Sequence, residues 1–89
     1  MKILAICGHG LGSSFMLEMN IKKVLKVIGV EAEVEHADLS SAMPDAADLF
    51  VIGRDLASSV NVSADKKVIL NSIIDKKELE EKLRAYFNK

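Results

Sequence analysis

The chain has only one cysteine among its 89 residues, and this scarcity limits both its chemistry and its surroundings. A single thiol cannot form a disulfide within the chain, which favours a reducing compartment such as the cytoplasm. The segment Leu4-Ala5-Ile6-Cys7 is faintly similar to a lipoprotein cleavage site, but only six residues precede Cys7. That length is too short for a charged and apolar leader, so we expect no lipid attachment there.

An excess of one charge and long apolar runs are also missing. The 12 basic and 13 acidic residues give a net charge of −1, and no block of like charge is long. A nucleic-acid-binding protein needs a basic face, so we expect no nucleic-acid partner. The apolar runs are too short to span a bilayer, so we expect no direct membrane insertion.

The composition that remains fits one globular domain over residues 1–89. The apolar share of 49% argues against disorder. A chain of this length buries about 60–65% of its unfolded surface, which is enough for one core. From this length we expect no second domain.

Apolar runs alternate with helical patterns along the chain. The predicted strands cover residues 2–7, 30–35, 49–52 and 67–70. Ser13 or Ser14 is expected to cap a first long helix that ends before Gly29, and Asp75 is expected to cap a last one. A short helix is predicted at residues 55–60, after a polar link at residues 38–47.

This order of elements predicts an α/β fold, a single-domain open four-stranded parallel sheet with helices on both faces, similar to a Rossmann fold. Right-handed crossovers favour the strand order 2-1-3-4. Strand 1 is then a topological switch point, and ligands bind beyond the carboxyl ends of the strands there. Strand 1 is expected to end at Cys7 and Arg54 follows strand 3, so both are expected at this edge.

A glycine-rich segment directly after strand 1 carries the predicted chemistry. It reads Cys7-Gly8-His9-Gly10-Leu11-Gly12-Ser13-Ser14. Backbone N–H groups of residues 8–14 near a helix start would surround an anion and lower the pKa of the thiol below its free value of about 8.5. We therefore predict a covalent phosphocysteine at Cys7, with residues 8–14 as the phosphate-binding loop. The alternative is that Cys7 is a small buried residue at the end of a strand.

Other functions share this kind of loop. Low-molecular-weight tyrosine phosphatases have a Cys-x5-Arg loop after strand 1, but here the sixth residue after Cys7 is Ser13. Because the arginine is missing, hydrolysis should be poor, and a small phosphatase-like hydrolase is our second hypothesis. A non-catalytic regulatory module with the same fold is the third. Dinucleotide binding through G-x-G-x-x-G is disfavoured, since Ser13 replaces the third glycine.

Residues 3–14, which read Ile-Leu-Ala-Ile-Cys-Gly-x-Gly-x-Gly-Ser-Ser, resemble the sugar-specific IIB components of the bacterial phosphoenolpyruvate-dependent phosphotransferase system. The resemblance is strongest to the ascorbate type, with the galactitol and lactose/cellobiose types more distant. It implies a cytoplasmic phosphocarrier in which Cys7 accepts phosphate from a phosphohistidine of a IIA protein. The phosphate then passes to a sugar bound by the membrane transporter IIC. We expect no metal or cofactor.

Three polar residues near the predicted site have open roles. His9 is either a ligand of the phosphoryl group or a solvent-facing loop residue. His36 has no visible partner in the sequence, so we expect a surface position. Arg54 is an accessory candidate that would attract phosphate or a partner, with a plain surface arginine as the alternative.

Apolar residues at helical spacing predict the buried stripe of each long helix: Leu17, Ile21, Val24, Leu25 and Ile28 in the first, and Leu79, Leu83 and Phe87 in the last. Three other apolar residues early in the first helix fall partly outside its stripe. They are Phe15, Met16 and Met19. Because they follow the loop directly, they are either an adaptable docking patch for IIA and IIC or core residues packed against a neighbouring helix.

Overall fold

The structure of the chain, a computed structural model, contains one parallel sheet and two α-helices among the residues that it describes. Those are residues 1–6, 11–37, 43, 45–60, 62–72 and 75–89, with the backbone alone for residues 11–14. The strands are β1 (Lys2–Ile6), β2 (Glu33–Ala37), β3 (Leu49–Gly53) and β4 (Lys67–Leu70). The helices are α1 (Leu11–Ile28) and α2 (Lys76–Phe87), with 3-10 turns at Ala57–Ser59 and Ala64–Lys66.

The sheet has the predicted topology. All pairs are parallel and the order is β2-β1-β3-β4, which confirms the fold class. The central strand β3 is buried throughout, whereas burial is incomplete along the edge strands β2 and β4. This difference is expected, because only central strands are paired on both sides and covered on both faces.

Both α-helices pack against one face of the sheet, here called the helix face. Its core joins alternate strand residues to the inner stripes of the helices: Ile3, Ala5, Val34, Leu49, Val51, Val68, Leu70, Leu17, Ile21, Val24, Leu25, Ile28, Leu79 and Leu83. The inner stripes of both helices, Leu79 and Leu83 of α2 included, are those that the sequence predicts. Helix α1 connects β1 to β2, and β2 lies on the side of β1 away from β3. A right-handed crossover in that direction puts α1 on the helix face.

The opposite face, here called the turn face, has a second core. Its strand residues are Leu4, Ile6, Phe50 and Ile52, which pack against Ala47 and Val60 from connecting segments. We expected helices on both faces of the sheet. Among the described residues no α-helix covers the turn face, and the helical structure there is the 3-10 turn Ala57–Ser59. The predicted helix at residues 55–60 is too short to nucleate a stable α-helix, and a 3-10 turn is common in such short pieces.

Helix α1 ends as predicted, and its end explains why β2 starts later than predicted. Gly29 adopts φ 75°, and the N–H of Val30 donates to the carbonyl of Leu25 at 2.9 Å, which is the Schellman end of a helix. Val30 therefore belongs to the helix end and packs against the core. Strand β2 begins at Glu33, whose N–H donates to the carbonyl of Met1 at 2.8 Å.

Helix α1 begins earlier than the sequence predicts. Its first residue is Leu11, so Ser13 and Ser14 lie inside the first turn and are not caps. A serine is favoured at the cap position but does not prevent helical backbone before it. Leu11, Gly12, Ser13 and Ser14, which we expected in a loop, are therefore the first turn of a helix.

Candidate functional site

The first turn of α1 lies close to the carboxyl end of β1, at the edge of the sheet that we predicted to be functional. Residues 7–10 connect Ile6 to Leu11, and five residue steps span at most about 17 Å. Cys7, Gly8, His9 and Gly10 lie outside the described residues. The first four N–H groups of any α-helix have no acceptor within the helix, and they form its positive end.

The two helices differ in the charge of their first turns. In α2, the Asp75 carboxylate accepts hydrogen bonds from the N–H groups of Lys77 and Glu78, both at 3.1 Å. This confirms Asp75 as the predicted cap. The first turn of α1 contains no acidic residue. The Asp75 carboxylate therefore balances the positive end of α2, whereas no residue in the first turn of α1 carries a negative charge.

Arg54 lies at the same edge, as predicted from its position after β3. Its backbone N–H donates to the carbonyl of Leu70 at 2.8 Å, and its side chain is exposed. In the register, Ile6 of β1 pairs with Ile52 of β3, so Arg54 follows β3 beside the end of β1. Its accessory role stays a prediction.

Glu78 fixes the connection between β4 and α2 at this edge. Its carboxylate accepts from the N–H groups of Asn71 at 2.8 Å and Ser72 at 3.1 Å, and it forms an ion pair with Lys82 at 2.9 Å. The hydrogen bond from Asn71, then those from Lys82 and Ser72, lower the pKa of Glu78 to about 2. The carboxylate stays ionised at neutral pH, so the loop after β4 is held by a permanent charge.

His36 has a partner, and our expectation of a free surface position is wrong. Its Nδ1 atom lies 2.5 Å from Oε1 of Glu18, and Oε2 of Glu18 lies 2.9 Å from Nζ of Lys22. The Phe15 and His36 rings meet edge to face, with centroids 5.9 Å apart and 75° between planes. Burial raises the pKa of Glu18, but the hydrogen bonds from His36 and Lys22 outweigh it, so the pKa lies below its usual value.

The sequence contained a signal for this pair. His36 is in phase with buried Val34 along β2, so it faces α1. Glu18 lies between Leu17 and Ile21, at the border of the buried stripe of α1. Two polar residues that face each other across neighbouring elements should be read as a pair, because each would otherwise be desolvated without compensation.

The apolar residues Phe15, Met16 and Met19, here called the apolar stripe, are exposed. Their exposed fractions are 50%, 54% and 41%, which excludes the core alternative. They occupy the first turns of α1 after Ser14. Single exposed apolar residues are common, but a group of three beside a candidate site is typical of an interaction surface.

The described residues show neither a metal centre nor a membrane span. No group of three His, Cys, Asp or Glu side chains within that part of the chain is placed to hold a metal ion. No described helix is long and apolar enough to cross a membrane.

Comparison with known proteins identifies the family. The model of the family described as "PTS system, Lactose/Cellobiose specific IIB subunit" matches residues 2–85. The chain belongs to this IIB family. The "Ascorbate-specific PTS system EIIB component" of Mycoplasma pneumoniae is 29% identical over an alignment of 84 residues that covers 91% of this chain and 88% of the relative. Those of Salmonella typhimurium and Shigella flexneri are each 27% identical over 74 residues, 76% of this chain and 69% of theirs.

Membership of the IIB family confirms the resemblance found in the sequence. The chain is a IIB component of a sugar-transport phosphotransferase system. The family description names lactose and cellobiose, whereas the relatives are named for ascorbate. The comparisons therefore agree on the type of component and differ on the sugar.

Proposed function

We propose that this IIB component carries a phosphoryl group on Cys7 between two partners. The Cys7 thiolate attacks phosphorus of a phosphohistidine on a IIA protein, an S–P bond forms, and the P–N bond to imidazole breaks. A hydroxyl oxygen of the sugar on IIC then attacks the same phosphorus. The S–P bond breaks, the thiolate is regenerated, and the hydroxyl proton leaves to solvent or a base of the transporter.

The observation that supports this proposal most strongly is the start of α1 only five positions after Ile6, with no acid in its first turn. An anion at that helix end is stabilised by the unpaired N–H groups and the dipole. The dipole alone gives less than about 1 kcal/mol at an exposed site, so hydrogen bonds from residues 8–14 must provide most of the stabilisation. The same donors would favour both the thiolate and its phosphorylated form.

The loop composition favours a carrier over a hydrolase. Ser13 stands where phosphatases of similar topology have their arginine, and the phosphoryl group should therefore survive until an acceptor arrives. A phosphatase-like hydrolase and a non-catalytic regulatory module are the alternatives that the experiment must exclude.

The apolar stripe and Arg54 are the surface features that we assign to the partners. The IIA and IIC proteins must approach Cys7 in turn, and the stripe begins immediately after the phosphate-binding loop. Both transfers occur in the bacterial cytoplasm, where the thiol stays reduced. The names of the relatives make ascorbate the first sugar to test.

The test uses phosphoenolpyruvate, the general phosphotransferase proteins and the cognate IIA protein, with intact mass as the readout. Wild type should gain one persistent phosphoryl adduct, and Cys7→Ser should gain none. Alkylation before the assay should also block the adduct, because Cys7 is the only thiol. His9→Gln tests the other nucleophile of this segment: loss of the adduct in His9→Gln, with the adduct kept in Cys7→Ser, would place the phosphate on that imidazole.

The alternatives predict different results. Rapid hydrolysis of an aryl phosphate without any partner protein would favour the phosphatase. Absence of an adduct with every donor would favour the regulatory module. Transfer from phosphorylated chain to ascorbate, but not cellobiose, in vesicles that contain the cognate IIC would establish the sugar.

A further inference from the structure

The pair formed by Glu18 and His36 joins the second turn of α1 to edge strand β2 near the candidate site. His36 pairs in the register with Ala5, one residue before the end of β1, so it lies next to the functional edge. The side chain of Glu18 is only 11% exposed, and both carboxylate oxygens are engaged. A carboxylate is rarely found so deeply buried unless it is paired.

This pairing is not an efficient way to stabilise the fold. Desolvation of a carboxylate and its polar partner offsets most of their attraction, and well-packed apolar residues are often as stabilising as such a pair. Leucine at position 18 would extend the stripe that already contains Leu17 and Ile21. What a polar pair adds over leucine is direction, because a hydrogen bond fixes the relative position of two groups more narrowly than apolar contact does.

The position of the pair along α1 determines what it can fix. The carboxyl-terminal half of the helix is anchored by Ile21, Val24, Leu25 and Ile28 in the core. In the amino-terminal half, Leu17 is buried in the core and Glu18 contacts His36 through its carboxylate. The ring of Phe15 also meets the His36 imidazole edge to face. His36 thus contacts both turns that follow directly on residues 11–14.

We propose that Glu18 and His36 are positioning residues for phosphoryl transfer. They hold the first turn of α1 at a fixed distance from the end of β2, and through it the N–H groups that surround the group on Cys7. This inference rests on the proposed function. An error of about 1 Å in the placement of reacting groups can reduce a rate about a hundredfold, so a partial loosening should cost about tenfold.

The test separates positioning from stability with two variants that have opposite effects. The double variant Glu18→Leu/His36→Leu replaces the pair by apolar residues, and its urea midpoint should equal or exceed that of wild type. Val34→Ala is the matched control, because it removes methyl groups from the same contact between β2 and α1. It should lower the midpoint and leave transfer unchanged.

Two readouts are measured on the full chain: the pKa of the Cys7 thiol from alkylation rate against pH, and single-turnover transfer from phosphorylated IIA. In the double variant we expect a higher thiol pKa and a saturating transfer rate about tenfold lower, with half-saturation by IIA changed less than about twofold. His36→Asn, whose amide nitrogen can take the place of Nδ1, should restore most of the rate. If the double variant does not fold, Glu18→Met, which is similar in length and cannot accept the hydrogen bond, replaces it with the same readouts.

The possible failures are distinguishable. If wild type accepts no phosphate, the proposed function is wrong and the inference falls with it, whereas the alkylation readout still shows whether the pair holds the start of α1 against the thiol. If wild type is phosphorylated and the double variant matches it in transfer rate or in thiol pKa, positioning is refuted. If Val34→Ala loses transfer as much as the double variant does, the pair acts only through stability, which also refutes the proposal.

Discussion

Replacement of Gly29 tests how α1 is joined to β2. Gly29 has φ 75° at the end of α1, and a Cβ atom placed on it would meet nothing within 4 Å. Gly29→Ala therefore introduces backbone strain without a steric clash, which makes the magnitude simple to estimate. The turn also sets where β2 begins, and thus the register that places His36 opposite Glu18.

Two opposing contributions determine the effect of alanine. The left-handed conformation costs a residue with a Cβ atom about 1.5 kcal/mol. Alanine also restricts the unfolded chain, which recovers about 0.7 kcal/mol. The free energy of unfolding should therefore fall by about 0.8 kcal/mol, equivalent to about 3–6 °C in Tm for a domain of this size.

The chain supplies its own control at the end of α2. Asn88 adopts φ 58° there, and the N–H of Lys89 donates to the carbonyl of Arg84 at 2.9 Å, the same arrangement as at Gly29. Since asparagine tolerates this conformation better than alanine, Gly29→Asn should cost about half as much as Gly29→Ala. Urea unfolding followed by circular dichroism measures both. Equal costs for the two variants, or an alanine cost above about 2 kcal/mol, would refute the strain argument.

The remaining predictions concern acid stability and partner binding. Glu78→Gln should lower stability at neutral pH. The pKa of Glu78 is about 2 in the folded chain and ordinarily 4.5. The difference in free energy of unfolding between wild type and variant, here called the gap, should therefore be full above pH 4.5 and close as pH falls towards 2. Urea unfolding at several pH values measures the gap, with Glu81→Gln as the charge-matched control, and a constant gap would contradict the prediction. Replacement of Met16 and Met19 by serine should raise the KM for phosphorylated IIA about fivefold with no loss of stability. Val27→Ser, at an exposed position of the same helix, is the control and should leave this KM unchanged. An unchanged KM in the double variant would remove the apolar stripe from the IIA interface.

Local sequence signals predicted most of the fold correctly. Gly29 and Asp75 mark helix ends because their roles depend only on neighbouring residues. The order 2-1-3-4 followed from the alternation of elements and the handedness of crossovers, without knowledge of any contact. The start of β2 was misplaced because Val30 has the alternation of a strand but is used by the helix end.

Contacts between distant residues could not be read in the same way. Glu18 and His36 are 18 positions apart, and their contact depends on how α1 lies across β2. Glu78 presents a similar case. Its spacing of four residues to Lys82 suits an ion pair on one face of a helix, but the N–H groups of Asn71 and Ser72 come from the segment after β4, whose path no local pattern specifies. Tertiary packing therefore determines which charges become fixed.

Because α1 starts at Leu11, part of the proposed phosphate-binding segment is the first turn of a helix. Glycines in a loop can adopt positive φ, yet Gly12 lies in helical backbone, and Gly29 has the only positive glycine φ among the described residues. The proposed donors at residues 11–13 are therefore helical N–H groups that all point along one axis. Such donors are already ordered before an anion arrives, so little reorganisation is required on phosphorylation. A helix used in this way must be held firmly at its first turns, and the contacts of His36 with Phe15 and Glu18 occur at that point.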